Sequence, residues 1–542
     1  MTSKASIRPY LNQAYLLGLL MVAVGLTLSP FLMGMSQFWL ALVWFVDALT
    51  PPFKGVGGIK TKLSCFFHNK AAVLLVAFYL MHVVGLLWTS DFQYALKDLR
   101  VKLPILVMPF VLSSMEPLDR KRFNIVMLIY VLSVFIATQF SFIRYMQHNY
   151  EDIREISHFI SHIRFCLNIV FCIAIIGWYL YNRAVKSPVP TFGIKTAIDR
   201  FLQWFLLLWF IYQIYIFESL SGYVILAAVV IASAVYAFLQ WKRGRGWRIA
   251  IGLFAVGAIA AVVAVLMSVV KPLIEVKPLD FSTLEKKTAQ GNYYWHDTIC
   301  FPVEDGKYVG LYFNRNELRE AWSMRSDMPL EGATASGENL ETTLARYLTS
   351  KDLRKDAEGV MALTDEDIRN IEQGVANYNN WKHPGIHARL SSTLFEYNLY
   401  RRFNNPNGGS LAQRIEFTRA SLHIIKQYPW FGVGTGDVPQ SFAQTYDEIH
   451  SPLKEEFRFR AHNQYLAIAV AFGIVGLVFF LFVLLYPWLS SKRNHTYLYM
   501  AFLTIMLLSM FPEDTLETQA GATLFAFFVS LLLFASPVSR QK

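Results

Sequence analysis

Long apolar runs recur along this chain, and one long polar stretch interrupts them. Residues 271–461 form that stretch, with about 23 Lys or Arg and about 26 Asp or Glu. Runs of about 20 apolar residues are long enough to cross a bilayer as helices. We find about twelve, centred near Gly18, Leu42, Val76, Met108, Leu132, Phe171, Leu208, Val229, Ala258, Val475, Ile505 and Phe528. The pattern predicts an all-α polytopic membrane protein with one large loop between the ninth and tenth spans.

The composition agrees with a membrane protein and excludes several other classes. Hydrophobic residues make up 54% of the chain and charged residues only 16%, against roughly 25% charged in soluble domains. The net charge of +11 could suggest a nucleic-acid binder, but the polar stretch is nearly neutral. The basic surplus lies among the apolar runs, so we expect no nucleic-acid surface.

Lys and Arg alternate between the loops, which predicts the orientation of the spans. The basic loops fall on one side together with both ends of the chain, so that side is predicted to be the cytoplasm. The domains are then residues 1–270 with spans one to nine, 271–463 as an outer loop domain, and 464–542 with spans ten to twelve. Within the loop domain, residues 271–407 are predicted to form a mainly helical cap, and 408–463 a motif region. In the cap, Thr364 and Asp367 resemble a helix capping box.

Some cations depart from this rule because they lie on the outer side. They are Lys97, Arg100 and Lys102 before the fourth span and Arg144, Arg154 and Arg164 around the sixth. One interpretation is pairing with nearby acids, including Asp91 and Asp98, or with headgroup phosphates. The other is an anion site at the outer membrane boundary. Arg suits a diphosphate because its planar fork donates two hydrogen bonds and stays charged.

Two local motifs lie before the tenth span. Residues 427–437, QYPWFGVGTGD, carry three alternating glycines, which could form a tight turn or aim amides at an anion. Residues 458–466, RFRAHNQYL, place Arg460 and His462 at the outer mouth of that span. A histidine there could contact headgroups or accept a proton near neutral pH. No metal-ligand spacing occurs, so we expect no metal and no cofactor.

These motifs carry a resemblance to a known family. The segment SLAQRIEFTRASLHIIKQYPWFGVGTGD, followed about 25 residues later by AHNQYLAIAVAFGIVGL, resembles the signature region of the O-antigen ligase and polymerase superfamily. The resemblance implies a glycosyltransferase C-type membrane fold with about twelve spans and a periplasmic loop between the ninth and tenth. It also implies glycan transfer from undecaprenyl diphosphate to an acceptor hydroxyl, without metal or nucleotide.

The resemblance assigns roles to individual residues. His462 matches the family histidine and would act as general base. Catalytic roles also fall to Arg414, which opens the loop helix, and to Arg164 in SHIRF. Lys102 in KLPIL and the acidic stretch Glu513, Asp514 and Glu517 resemble positions of related ligases. Glu513 and Glu517 would support or orient the acceptor. The cations expected to bind the donor diphosphate are Arg100, Lys102, Arg164, Arg414 and Arg460. One departure is Leu220-Ser221-Gly222, where many members carry Ser-Arg-Gly.

We therefore expect an O-antigen ligase of the bacterial inner membrane. It would transfer polysaccharide from an undecaprenyl-diphosphate-linked donor to a sugar hydroxyl of the lipid A core, at the periplasmic face and among membrane lipids. One alternative is the polymerase of the same superfamily, which joins lipid-linked repeat units. Another is a transporter of an anion or a lipid-linked sugar, but transporters usually place ionisable residues at mid-membrane. Here the charges gather at the outer boundary.

Overall fold

A computed structural model describes residues 7–51, 57–147, 153–185, 196–240, 279–383, 385–407, 409–491 and 496–537, with Asn494 and scattered residues between 252 and 276. The described chain is mostly helical with almost no sheet, as expected for a helical membrane protein. It divides into two compact units. The first comprises residues 1–255, 417–451 and 458–542, and the second comprises residues 256–416 and 452–457.

The first unit contains the long apolar helices. Its helices are α1 (Ile7–Leu28), α2 (Pro30–Leu49), α3 (Ile59–His68), α4 (Lys70–Val84), α5 (Phe92–Ser114), α6 (Arg120–Met146), α7 (His162–Val185), α8 (Thr196–Ile216), α9 (Leu220–Gln240), α17 (Val438–Glu448), α18 (Gln464–Ser490), α19 (Tyr497–Ser509) and α20 (Gln519–Ser530). Helix α16 (Ser410–Gln427) crosses from the second unit into the first. Short 3-10 helices lie at Gly85–Trp88, Ile153–Ile156 and Thr515–Glu517, and α20 continues as a π-helix at Leu531–Ala535.

Seven of the described helices are long and apolar enough to cross a membrane. They include seven of the twelve predicted centres: those near Gly18, Leu42, Val76, Leu132, Phe171, Val229 and Val475. The centres near Ile505 and Phe528 lie on shorter apolar helices, α19 and α20 with its π-helix. Those near Met108 and Leu208 lie on α5 and α8, outside the seven. Ala258 lies outside the described residues, so the count of twelve stays a prediction.

One continuous hydrophobic core holds the first unit together. Helix α1 packs against α2 and α6, and α5 packs against α4 and α20. Charged residues occupy the first turns of α5, including Asp98 and Lys102, and both are buried. The α5–α20 packing brings that charged end close to the link between α19 and α20, which is where the candidate site lies.

The second unit is a small helical domain with its own core. Its short helices are α10 (Arg315–Ser323), α11 (Leu340–Ser350), α12 (Ala357–Met361), α13 (Asp365–Glu372), α14 (Tyr378–Lys382) and α15 (Ile386–Phe403), and it has 3-10 helices at Phe281–Thr283 and Glu455–Phe457. Strands β1 (Val303–Glu304) and β2 (Lys307–Tyr308) pair antiparallel. Asp305 and Gly306 both have positive φ, as a two-residue hairpin turn requires. The capping box predicted at Thr364 and Asp367 is confirmed at the start of α13.

The compact units divide the motif region differently from the predicted domains. Residues 417–451 and 458–463 fall within the first unit, although we predicted 408–463 as part of an outer loop domain. That prediction concerns position relative to a membrane, which compactness does not measure, so the domain boundaries stay predictions.

Candidate functional site

A tight turn before α18 brings Arg460 and His462 to the mouth of that helix. Asn463 caps α18, since its side chain accepts a hydrogen bond of 3.0 Å from the Leu466 amide. His462 has a φ of 45°, a left-handed conformation that is uncommon outside glycine. The Asn463 side chain also donates to the Phe511 carbonyl at 2.9 Å. This hydrogen bond connects the turn to the link between α19 and α20.

The link between α19 and α20 supplies three carboxylates. Its backbone at Thr515 lies very close to the first turn of α20. A Cβ on Gly521 would lie 1.9 Å from the Thr515 carbonyl oxygen, so only glycine lets α20 start so close to the 3-10 helix. Thr518 caps α20 through the Gly521 amide. The link thus folds back on itself and presents Glu513, Asp514 and Glu517 to the turn before α18.

Lys102 is the buried centre of the first ion cluster. Its side chain is 2% exposed, and Nζ lies 2.5 Å from Asp98 Oδ1 and 2.6 Å from Glu517 Oε2. Gln464 Nε2 donates to the other Glu517 oxygen at 3.0 Å. Burial alone would raise the pKa of Glu517, but Lys102 and Arg460 outweigh it and hold that pKa well below its usual range. Glu517 is therefore an ionised, fully engaged carboxylate.

Arg460 forms a second set of ion pairs next to Lys102. Its Nε lies 2.6 Å from Asp514 Oδ2, and its Nη1 lies 3.7 Å from Glu517 Oε2. Burial opposes the charge of Arg460, but Glu517 and Asp514 outweigh it and raise its pKa. Burial also raises the pKa of Asp514, although Arg460 opposes that shift. Lys102 and Arg460 thus share the carboxylate of Glu517.

His462 lies between two aromatic rings beside a third carboxylate. Its ring stacks on Phe417, with centroids 5.4 Å apart, and meets Phe459 edge-on at 6.1 Å. Its Nδ1 lies 3.9 Å from Glu513 Oε2, and the same oxygen lies 3.9 Å from Arg164 Nη2. The side chain is 32% exposed. A charge on the imidazole would therefore be stabilised by Glu513 while the ring stays within reach of solvent or substrate.

One of the hydrogen-bond donors of the Arg164 guanidinium has no partner in the described part of the chain. Its Nη1 donates to Ser161 Oγ at 2.9 Å. Its Nε is buried and has no hydrogen-bond partner among the residues that the structure describes. A buried unsatisfied donor costs free energy unless a ligand supplies the acceptor. Arg164 is accordingly a cation of this cluster whose hydrogen-bonding capacity the described residues leave partly unused.

A small cavity opens beside the ion pairs of Lys102 and Arg460. Lys102, Arg460 and Glu517 provide charged lining. Val438, Phe442, Ile468 and Phe472 provide apolar lining, and His82 also lines the cavity. The cavity therefore has both charged and hydrocarbon walls.

The structure brings together six of the predicted site residues: Lys102, Arg164, Arg460, His462, Glu513 and Glu517. Arg100 is exposed, and it precedes Lys102 by two residues, so it lies about 160° away around α5. Arg414 lies on α16 within the second unit. The roles assigned to these eight residues stay predictions.

Asp98, Gln464 and Tyr94 belong to the cluster but were not predicted as site residues. The sequence analysis considered Asp98 only as an acid that could pair with the outer cations. Its position four residues before Lys102 indicated the contact, because residues four apart lie on the same face of a helix. Gln464 and Tyr94 contact Glu517 and Arg460. Neither had a local signal, because Gln464 and Glu517 are 53 positions apart in the chain, and Tyr94 and Arg460 are 366 positions apart.

The alternating glycines of residues 427–437 have a structural role. The Gly432 amide donates to the Tyr428 carbonyl, the Gly434 amide to Ala471 at 2.9 Å, and the Gly436 amide to Thr89 Oγ1 at 3.1 Å. These three amides are thus engaged within the protein. Of the two interpretations of the motif, the arrangement favours the tight turn over the anion cradle.

One group in the cluster has the geometry of a metal site. His462, Glu513 and Asp514 each offer one ligand atom, and these atoms lie within 4.8 Å of one another. Asp514 also pairs with Arg460, whose charge would compete with a cation. The arrangement could hold a metal ion, but it also serves as an ion network without one.

Comparison with known families identifies the motif region. Residues 378–481 match the family model described as O-antigen ligase. The chain carries an O-antigen ligase family segment. The resemblance first based on residues 410–437 and 461–477 is thereby confirmed. No curated protein matches the chain.

The O-antigen ligase segment includes some of the candidate residues and leaves out others. Arg414, Arg460 and His462 lie within it, whereas Lys102, Arg164, Glu513 and Glu517 lie outside. The match supports a multi-pass membrane transferase of lipopolysaccharide biosynthesis that works on lipid-linked glycans. In the structure, residues from outside the segment complete the ion clusters around Arg460 and His462.

Proposed function

We propose that this protein is an O-antigen ligase. It transfers polysaccharide from undecaprenyl diphosphate to a sugar hydroxyl of the lipid A core, at the periplasmic face of the inner membrane. The observation that carries the proposal is the ion cluster of Lys102, Arg460 and Arg164 beside His462, of which Lys102 and Arg460 also line a cavity with both charged and apolar walls. A lipid diphosphate needs both kinds of wall, because its head is anionic and its tail is hydrocarbon.

His462 is proposed as the general base. A sugar hydroxyl is a weak nucleophile, so a base within hydrogen-bond distance accelerates its attack by about 10²–10⁴-fold. Because Glu513 lies on the Nδ1 side of the ring, Nε2 is left to take the hydroxyl proton. Glu513 then stabilises the imidazolium that forms. Arg164, on the other side of Glu513, links this base to the proposed diphosphate site.

The cations stabilise the leaving diphosphate, although four carboxylates surround them. Asp98, Glu513, Asp514 and Glu517 outnumber Lys102, Arg164 and Arg460 by one charge. A diphosphate must therefore use donor capacity that the carboxylates leave open, and the buried Nε of Arg164 provides it. Fixed donors aimed at a developing negative charge stabilise it without reorganisation.

The experiment is surface polysaccharide profiling of a deletion strain, complemented with the wild type or with His462→Ala. For a ligase, both the deletion and the variant should accumulate full-length polysaccharide on undecaprenyl diphosphate, with none on the lipid A core. Single repeat units on the lipid A core would instead identify the polymerase reaction. Normal lipopolysaccharide in the deletion strain would contradict both.

A further inference from the structure

Helix α18 is broken at Gly473, inside a segment long and apolar enough to cross a membrane. Gly473 has a φ of 65° and a ψ of −164°, a backbone conformation open to glycine and costly for other residues. The break lies nine residues beyond Gln464, or about 14 Å along the helix at 1.5 Å per residue. A break at that depth frees backbone groups that hydrocarbon cannot satisfy.

The partners of these backbone groups come from residues 429–434, which follow α16. The Val433 amide donates to the Val470 carbonyl at 3.0 Å, and the Gly434 amide donates to Ala471 at 2.9 Å. In the other direction, the Ile474 amide donates to the Pro429 carbonyl at 2.8 Å. The segment therefore runs alongside α18 at the depth of the break.

The two backbones are in direct contact, and glycines on both sides permit it. A Cβ on Gly432 would lie 2.4 Å from the Ala471 carbonyl carbon. A Cβ on Gly473 would lie 2.3 Å from the Trp430 carbonyl carbon. Such distances leave no room for a side chain. The depth of residues 429–434 is therefore fixed by α18 itself.

The other end of the segment is tied to the link between α4 and α5. Thr435 Oγ1 donates to the His82 carbonyl at 2.7 Å. Asp437 Oδ1 accepts the amides of Ser90 at 2.9 Å and Asp91 at 2.8 Å. Because both ends are held, the segment is a fixed part of the helical unit.

The side of the segment facing away from α18 is aromatic and exposed. Trp430 is 65% exposed and Phe431 63%. They lie next to a stripe of exposed apolar residues on α18, which are three or four positions apart and therefore lie on one face of the helix. Helix α18 contains no charged residue. This stripe consists of Ile474, Val478, Phe482, Leu485 and Leu489. In a membrane helix such a stripe faces lipid, so the aromatic pair lies where lipid is expected.

We propose that residues 429–434 are a re-entrant segment that enters the outer leaflet, with Trp430 and Phe431 in contact with phospholipid acyl chains. Its depth beside α18 favours acyl chains over a soluble glycan or a periplasmic protein. Irregular backbone is tolerated at membrane depth where protein satisfies its polar groups, and here α18 does so. The proposal requires that α18 spans the bilayer with its N-terminal end on the outer side, and it is independent of the transferase assignment.

The first experiment measures depth with spin labels in phospholipid vesicles. The parent carries Cys65→Ser and Cys300→Ser, because these two cysteines are exposed while Cys166 and Cys172 are buried. Single cysteines are introduced as Trp430→Cys and Phe431→Cys. The matched controls are Val478→Cys, in the exposed apolar stripe of α18, and Gln444→Cys, at an exposed position of α17.

We expect labels at 430 and 431 to behave like the label at 478, with high accessibility to oxygen and low accessibility to a water-soluble nickel chelate. The label at 444 should show the reverse. Nickel accessibility at 430 and 431 equal to that at 444 would overturn the proposal, as would protection from both reagents, which indicates a protein partner.

A second measurement needs no substitution and therefore cannot fail through misfolding. Wild-type protein in vesicles is photolabelled with a phospholipid that carries a diazirine in its acyl chain, and the adducts are mapped by mass spectrometry. Adducts on Trp430 or Phe431, alongside adducts on the α18 stripe, are the expected result. Adducts on the stripe with none on the aromatic pair would contradict acyl-chain contact.

Discussion

Lys102 and Glu517 form a buried ion pair whose Nζ and Oε2 atoms lie 2.6 Å apart, although 415 positions separate them in the chain. Asp98 contacts the same ammonium, and Arg460 contacts the same carboxylate. Burying a charge is costly unless it is paired. The pair therefore joins the two ends of the first unit at the candidate site.

Lys102→Met should destabilise the protein by about 3–5 kcal/mol, because it leaves buried carboxylates without their cation. The double variant Lys102→Met/Asp98→Asn should recover part of this loss, since Glu517 keeps Arg460. The measurement is the free energy of unfolding in mixed micelles, analysed as a double-mutant cycle. Additive effects of the two substitutions would contradict a shared charge network. Arg100→Ala, on the exposed side of α5, is the matched control and should change stability little.

His462→Ala should reduce transfer by about 10²–10⁴-fold at pH 6–8 while leaving expression and folding intact. The side chain is partly exposed, and its acidic neighbours keep other cations, since Glu513 keeps Arg164 and Asp514 keeps Arg460. The measurement is turnover by purified protein with a lipid-linked donor and lipid A core acceptor. His423→Ala, another partly exposed histidine in the same unit, should keep wild-type activity. Wild-type turnover by His462→Ala would assign the base to Glu513 or Glu517 instead.

Arg164 and Arg414 should act through both charge and fork geometry. We expect Arg→Ala at either position to abolish most of the transfer, and Arg→Lys to restore only part of it, because an ammonium cannot make the planar two-bond contact. Comparing kcat and KM of the four variants checks this. Full activity in both alanine variants would show that the two guanidinium groups have structural roles only.

Much of the fold was predictable because its signals are local. Apolar runs located the long helices, and Thr364 with Asp367 marked the start of α13. The packing face of α16 was not predictable in the same way. Its buried positions are Ala412, Glu416, Phe417, Ala420, Ser421 and Ile424, whereas Leu411, Ile415 and Ile425 are only partly buried and Leu422 is exposed. This face includes small and polar side chains, so hydrophobicity alone does not reveal it.

The site was predictable in residue types and only partly in arrangement. Basic residues on the outer side, together with the His462 motif, identified the cluster. The pairing of Lys102 with Glu517, and of Arg460 with Asp514, depends on the packing of α5 and α18 around the α19–α20 link. No periodicity in the sequence encodes such contacts. The depth of residues 429–434 was missed for the same reason, because it depends on a helix break marked by a single glycine.

Lys355 should make the stability of the second unit depend on pH. Burial lowers its pKa to about 7, and Lys307 adds to this shift while Asp352 and Asp356 oppose it. Because the unfolded lysine titrates near 10.4, the unfolded state binds more protons between about pH 7 and 10. Stability should therefore rise with pH across that window. Hydrogen exchange of peptides within residues 301–378 should slow from pH 7 to 10 after correction for intrinsic rates.

Lys355→Met should remove that dependence and slow exchange at pH 7, because an apolar side chain of similar length carries no desolvation penalty. Lys382→Met, on an exposed residue of the same unit, should leave the pH dependence unchanged. Equal pH profiles for the wild type and Lys355→Met would contradict a depressed lysine pKa.

Transfer should need no divalent metal, even though His462, Glu513 and Asp514 could surround one. Divalent metals in transferases offset diphosphate charge with the help of acidic ligands, whereas here Arg164, Arg460 and Lys102 already lie near the proposed leaving group. Asp514 is held by Arg460 at 2.6 Å, so a metal would have to displace a guanidinium. We expect purified protein to transfer at the same rate in excess EDTA as in Mg²⁺ or Mn²⁺. Loss of activity in EDTA that Mg²⁺ or Mn²⁺ restores would overturn this mechanism. Asp514→Asn would then test the role of that carboxylate. If Asp514 is a metal ligand, the variant should bind the divalent metal more weakly than the wild type does. If Asp514 only pairs with Arg460, the affinity for the metal should be unchanged.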